Sequence, residues 1–183
     1  MSEEMLIRHC SPTLAGLKTG NLFSCSYQDK AEVLRFLRKW NIGLRHRGVR
    51  LLPLRFKNGK ALIYVYRPSK LDKDLSRDEV CEMLSQDGYC TDSCERCIAF
   101  LIRRLCLCEE FPHEIGLFLG YPVEDVKGFI KNKADRAKCV GCWKVYGDLN
   151  EAQRQFNRFK KCTRIYEKLW ADGRPIQKLT VAG

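Results

Sequence analysis

Two pairs of neighbouring side chains carry the most reactive chemistry in this chain: His9-Cys10 near its start and His113-Glu114 beyond its middle. A cysteine becomes a nucleophile or redox thiol when a nearby histidine favours its thiolate. Cys10 with His113, oriented by Glu114 or Asn21, would meet that requirement and make a cysteine-dependent enzyme. The imidazole and thiolate donors of His9, Cys10 and His113 would equally suit a soft or borderline metal, iron or zinc. A purely structural reading also exists, in which Glu114 complements the first turn of a helix and His113 hydrogen-bonds to a loop. The other cysteines offer two further spacings. Cys90, Cys94 and Cys97 form C-x3-C-x2-C, which can hold an iron–sulfur cluster with one iron left open. Its last two cysteines enter an apolar helix, however, and not a loop that follows a barrel strand. Cys94/Cys97 and Cys139/Cys142 are two C-x2-C pairs of the zinc-binding kind, but one pair falls on an expected helix and the other on an expected strand. Thiols used as small core residues explain both patterns.

Charge adds a second theme. The chain has 183 residues and a formal net charge of +11. From Val33 to Leu71 there is no acidic residue, while eleven lysines and arginines fall in that stretch, as many as the whole net charge. Six of them, Arg45, Arg47, Arg50, Arg55, Lys57 and Lys60, lie on or beside an expected hairpin. Such a patch projects a positive field that suits an acidic protein partner or nucleic-acid phosphates. Phe56, Tyr64 and Tyr66 could stack bases, but the two tyrosines alternate with Ile63 and Val65 in a strand that reads as buried. No known nucleic-acid-binding motif accompanies them. The longest apolar run, Cys97 to Leu107, is short and is broken by Arg103 and Arg104, so no membrane span is expected. The acidic start of the chain does not resemble a signal peptide. With eleven cysteines, an odd number, and ample aliphatic residues, the expectation is a cytoplasmic protein whose thiols are mostly reduced.

These residues must be held by elements that the hydrophobic pattern outlines. Asp29 and Glu32 form a capping box before Val33, Leu34, Phe36, Leu37 and Trp40, which predicts a helix to about Asn41. Two β-rich runs joined through Asn58-Gly59 predict a hairpin over residues 49–66, with the Pro53 strand at an edge and Ala61–Tyr66 central. Ser76 with Glu79 and Asp92 with Glu95 predict two more helix starts. The second of these helices is apolar enough all round to be buried. Pro112 and Pro122 each suit a first helical position. Residues 139–146 read as a strand and 176–181 as a last one. Asp148 with Glu151 opens a long helix with a core face of Ala152, Phe156, Phe159, Tyr166 and Leu169. The expected fold is a single α+β domain: a small, mostly antiparallel sheet packed with five or six helices.

Five blocks occur in order: HCSPTLAGLKTGNLFS, RGVRLLPLRFKNGKALIYVYRP, FPHEIGLFLGYPVEDVKGFI, CVGCWKVYGD and FKKCTRIYEKLWADGR. Together they resemble the bacterial family catalogued as domain of unknown function 3793, across nearly the whole chain. The resemblance implies no established activity; it points toward iron and flavodoxin. Carried over onto this sequence, the polar motif positions are His9, Cys10, Thr13, Lys18, Asn21, His113, Glu114, Tyr121, Lys144 and Tyr146. It implies ligand-binding roles for His9, Thr13, Lys18, Asn21, Tyr121 and Lys144. Cys142 stands where relatives more often carry an aromatic, and Cys90, Cys94, Cys106 and Cys108 are not family features. The leading expectation is an accessory protein with a small ligand or metal site near His9, Cys10 and His113, and a basic hairpin that docks an acidic partner such as a flavodoxin. A Cys10/His113 enzyme and a nucleic-acid binder are the alternatives.

Overall fold

The computed structural model describes residues 2–108 and 110–183. The protein is α+β, with small antiparallel sheets of three and two strands. Its residues divide into two compact units, one of residues 1–71 and 162–183, the other of residues 72–161.

In the first unit, α1 (Glu3–Leu14), β1 (Gly20–Ser26), α2 (Lys30–Leu44), β2 (Arg50–Lys57) and β3 (Lys60–Tyr66) follow in sequence. The sheet order is β1-β3-β2, so the Pro53 strand is an edge and β3 is central, as the alternation and the proline require. Asn58 (φ 50°) and Gly59 (φ 69°) both adopt the left-handed turn that a two-residue hairpin loop demands. The register shifts between Pro53 and Arg55, giving the proline strand a bulge. Ala61, Ile63 and Val65 point to one face with Phe23 and Cys25 of β1. They form a core with Leu6, Ile7, Cys10 and Leu14 of α1 and with Val33, Leu37, Trp40 and Leu44 of α2. Asp29 caps α2 by accepting from Ala31 N at 2.8 Å, and the helix runs three residues past Asn41. Asn41 itself pairs with both backbone groups of Leu51 (2.8 and 2.9 Å), which occupies the outer edge of β2 with a side chain.

α3 (Pro68–Leu75) leads out of the first unit. The second unit contains α4 (Asp78–Gln86), α5 (Cys94–Leu107), α6 (Ile115–Phe118), α7 (Val123–Lys131), β4 (Cys139–Val140) and β5 (Lys144–Val145). It also holds the first part of α8 (Leu149–Ala171); the rest of α8 and α9 (Ile176–Leu179) belong to the first unit. Asp148 caps α8 through Asn150 N and Glu151 N (2.8 and 3.0 Å), and Ala152, Phe156, Phe159 and Tyr166 are buried along it.

Several expectations are corrected. Residues 139–146 form a separate two-stranded hairpin, because Gly141-Cys142 turns the chain back so that Cys139 pairs with Val145. Residues 176–179 are helical, with Pro175 before the first turn and Thr180 Oγ1 closing it onto Ile176 O at 2.8 Å. α5 buries one face only, since Cys106 and Leu107 are exposed. Its cap is Ser93, which accepts from Arg96 N, while Asp92 instead pairs with the Arg96 guanidinium. Ser76 donates to Lys73 O and does not cap α4. The described residues hold nine α-helices, more than the five or six expected: the additional ones are α1, which holds Pro12 inside it, the two-turn α3, and α9, which is too short to show a period.

Candidate functional site

Three motif residues, His113, Tyr121 and Lys144, line one cleft of about 280 Å³ in the second unit. Around them stand Phe111, Phe129, Val140 and Trp143, with Asp125 at the wall. The sequence delivers them from four places: the loop before α6, the α6–α7 turn, the inner face of α7, and the β4–β5 hairpin.

Asp125 is the joint between α7 and the hairpin. It is buried, and its two oxygens accept three hydrogen bonds: Oδ2 from Trp143 Nε1 at 2.6 Å, Oδ1 from Tyr146 N and Gly147 N at 2.7 Å each. Charge-assisted bonds of this kind are the strong ones, and they fix the indole ring at the cleft. Tyr121 stacks on that ring (centroids 4.9 Å apart, 29° between planes), and its hydroxyl donates to Cys142 O at 3.3 Å. Burial first, and then the Cys142 thiol, push the Tyr121 phenol up to about 12, so it remains protonated at neutral pH. His113 meets Phe129 edge to face at 4.9 Å. Lys144 Nζ donates to Ala134 O at 2.6 Å and lies 5.9 Å from the centre of the Phe129 ring. The carbonyl that holds it comes from a bend in which Lys133, Ala134 and Arg136 all have positive φ (49°, 65° and 57°). Non-glycine residues are uncommon there, and strain of this kind gathers at functional sites.

Chemically, the cleft combines aromatic walls with an ammonium and an imidazole. The one carboxylate among its described lining residues, Asp125, already accepts from three donors. The ammonium has three donors and gives one to Ala134, so capacity remains for an acceptor on a ligand.

The other sequence-derived residues are placed elsewhere. Glu114 is buried and accepts from Tyr89 OH at 2.7 Å while pairing with Arg104 at 2.9 Å. Burial, followed by the hydrogen bond to Glu114, raises the Tyr89 pKa. Cys10 is enclosed in the first unit's core, where burial raises its pKa against a weaker opposing effect of Lys18. That is the reverse of an activated thiol. His9 is exposed and stacks on Phe23 at 5.5 Å; partial burial, then Arg8, lowers its pKa. Thr13 Oγ1 donates to Asn21 Oδ1 at 2.7 Å, and Lys18 is buried. The cleft's lining is drawn wholly from the second unit, whereas His9, Cys10, Thr13, Lys18 and Asn21 belong to the first.

Among the basic residues, Arg45, Lys57 and Lys60 are exposed and Arg47, Arg50 and Arg55 are half-buried. Tyr64 is buried and stacked on Tyr66 at 4.7 Å.

Cys10, Cys81, Cys90, Cys94, Cys97, Cys108, Cys139 and Cys162 are free thiols. Cys94 Sγ donates to Asp72 at 3.5 Å and Cys97 Sγ to Cys90 O at 3.4 Å, and burial is the main reason both pKa values rise, to about 12 and about 11. Among the described residues, no three His, Cys, Asp or Glu side chains gather as a metal ion would require.

Sequence reasoning missed Asp125, Phe129, Tyr89 and Arg104. An aspartate in a helix's first turn is ordinarily read as a dipole partner. The partners of Asp125 lie 18 to 22 residues further on, which no local pattern reveals.

No helix among the described residues is long and apolar enough to cross a membrane. Comparison with curated proteins and with solved structures returned no match for this chain. The five motif blocks nevertheless have their counterpart in a family model that matches residues 6–180 of the 183, and the chain therefore belongs to the family described as "Protein of unknown function (DUF3793)".

Proposed function

We propose that this protein is a binding module for a small, planar, apolar anion, of which an aromatic carboxylate is the simplest example. The ligand's ring lies among Tyr121, Phe129 and Trp143, and its charge faces Lys144 and His113. The observation that carries this reading is the convergence of these five side chains on one cleft, with the Asp125 carboxylate saturated by its own donors. An anion gains from the lysine, and the one carboxylate among the described lining residues, Asp125, already accepts three hydrogen bonds. The volume lies just under the usual range of small-molecule sites, about 300–1,000 Å³, so the ligand is compact.

Calorimetric titration with 2-naphthoate and with its cationic analogue, 2-naphthylmethylammonium, tests the reading. Naphthoate is expected to bind saturably and the cation at least about tenfold more weakly, a difference near 1.4 kcal/mol. Lys144→Met should erase that preference without changing the thermal midpoint, because Lys144 is only half-buried. Equal binding of the two compounds, or an unchanged preference in the Lys144 variant, would overturn the proposal.

A further inference from the structure

The outward face of α2 carries a combination that the cleft does not explain. Val33, Leu37, Trp40 and Leu44 bury one side of the helix. Leu34, on the flank of that buried side, is 49% exposed, and Ile42, on the opposite side, is 74% exposed. They are eight residues apart with Arg38 midway, so they share one i, i+4, i+8 row that rises about 12 Å along the helix axis while winding about 80° around it. Arg35, Arg38 and Lys39 are exposed beside them, and Arg45 and His46 are exposed just past the helix. The acids nearest in the sequence, Asp29 and Glu32, are at the helix start, where Asp29 caps the backbone and lies 3.8 Å from Arg35. The cationic surface also continues at that end: Lys30 Nζ sits 5.5 Å from the Phe56 ring, next to exposed Lys57 and Lys60 at the hairpin tip.

We infer that this face of α2 docks an acidic protein segment bearing two apolar anchors set about 12 Å apart along the helix axis. Charge complementarity decides the sign of the partner, since the field is wholly positive from Val33 to Leu71. The two aliphatic side chains decide its class. A nucleic-acid strand offers phosphates to the arginines but nothing at matching spacing for Leu34 and Ile42; of the aromatics that could stack bases, Tyr64 is buried against Tyr66, and half-buried Phe56 already meets Tyr27 edge to face at 5.2 Å. An amphipathic acidic segment satisfies both features, with the aliphatic pair as anchors and the arginines as the rim. The surface lies wholly in the first unit and is independent of the proposed cleft ligand.

Two synthetic helical peptides of equal negative charge test this directly: one carries only glutamate and alanine, and the other has two leucines eight residues apart among the same glutamates. A short DNA duplex and phosphatidylserine vesicles serve as competing probes. Fluorescence anisotropy with the full chain should show the leucine peptide binding at least about tenfold tighter than its leucine-free counterpart. Added salt should weaken both while largely preserving the ratio. Ile42→Ser should bring the ratio close to one with an unchanged thermal midpoint, and Arg38→Glu with Lys39→Glu should weaken both peptides. Equal affinity for the two peptides, no binding of either, an unaffected Ile42 variant, or tighter binding of the duplex or vesicles would each overturn the inference.

Discussion

Arg67 shows how a charged residue can leave the surface and become architecture. It belongs to the acid-free stretch and so counts toward the basic field when read from the sequence, yet it is buried. Its Nε donates to Thr13 O at 2.6 Å, Nη2 to Leu14 O and Val181 O at 2.7 Å each, and Nη1 to Arg47 O at 3.2 Å. Thr13 and Leu14 are the last residues of α1, which has no basic residue in its own final turn, so Arg67 supplies the positive charge that a helix C-terminus favours. Burial lowers its pKa from the usual arginine value, but an arginine remains charged throughout the accessible pH range. The HCSPTLAGLKTGN block supplies two of the four carbonyls that hold this guanidinium, Thr13 O and Leu14 O. Replacing Arg67 with methionine removes four hydrogen bonds, although Thr13 O still accepts from Gly16 N at 3.1 Å and Leu14 O from Val181 N at 3.0 Å, and chemical denaturation should record a loss of about 3 kcal/mol. A loss below about 1 kcal/mol would mean that water takes over those bonds.

The β4–β5 hairpin is only two residues long on each side, so its shape depends on what it packs against. Gly141 is the closest approach: a Cβ there would stand 2.1 Å from the Phe156 ring. Phe156 in turn meets Trp143 edge to face at 4.5 Å. Gly141→Ala should therefore cost about 1–3 kcal/mol through overpacking and should weaken naphthoate binding by moving Val140 and Trp143. Gly59→Ala provides the contrast, because nothing lies within 4 Å of its Cβ and only its φ of 69° is at stake. It should cost about 1 kcal/mol, with no effect on the cleft. Paired measurement of unfolding and naphthoate affinity in the two variants separates the effects; an equal change in affinity would rule out the packing argument. Gly59 reads in the sequence as a turn residue and Gly141 as part of a strand, and only Gly141 is needed for space.

Across the whole molecule, buried phenols make stability depend on alkaline pH. Burial pushes Tyr121 and Tyr166 up to about 12, and it raises Tyr89 as well. An exposed tyrosine ionises near pH 10. Between about pH 10 and 12 the unfolded chain releases phenolic protons that the folded chain retains. The contribution of these groups is therefore fully present below pH 10 and is lost as pH rises through that window. Absorbance titration of the seven tyrosines should show fewer tyrosinates at pH 11 in the native protein than in urea. Coincident curves near pH 10 would show that these hydroxyls are reached by water. The charge asymmetry acts at the same scale, because it places the field on one unit and leaves the cleft in the other.

Short-range physics explains what was readable without coordinates. The α+β class, the Asn58-Gly59 hairpin with its proline edge, the Asp29 and Asp148 caps and the core face of α8 all depend on neighbours within a few residues. His113, Tyr121 and Lys144 were named with them, because the motifs that carry them are contiguous. The grouping of those three was not readable: His113 and Lys144 are thirty-one residues apart, and Asp125, which brings α7 to the hairpin, has partners no periodicity encodes. The same limit explains Cys10, whose neighbours in the chain suggest reactivity while the packing of α1 against the sheet removes its thiol from water. Spacing along a chain determines what local backbone can form. Tertiary packing alone determines which polar groups are desolvated, which are satisfied, and which are left facing a ligand.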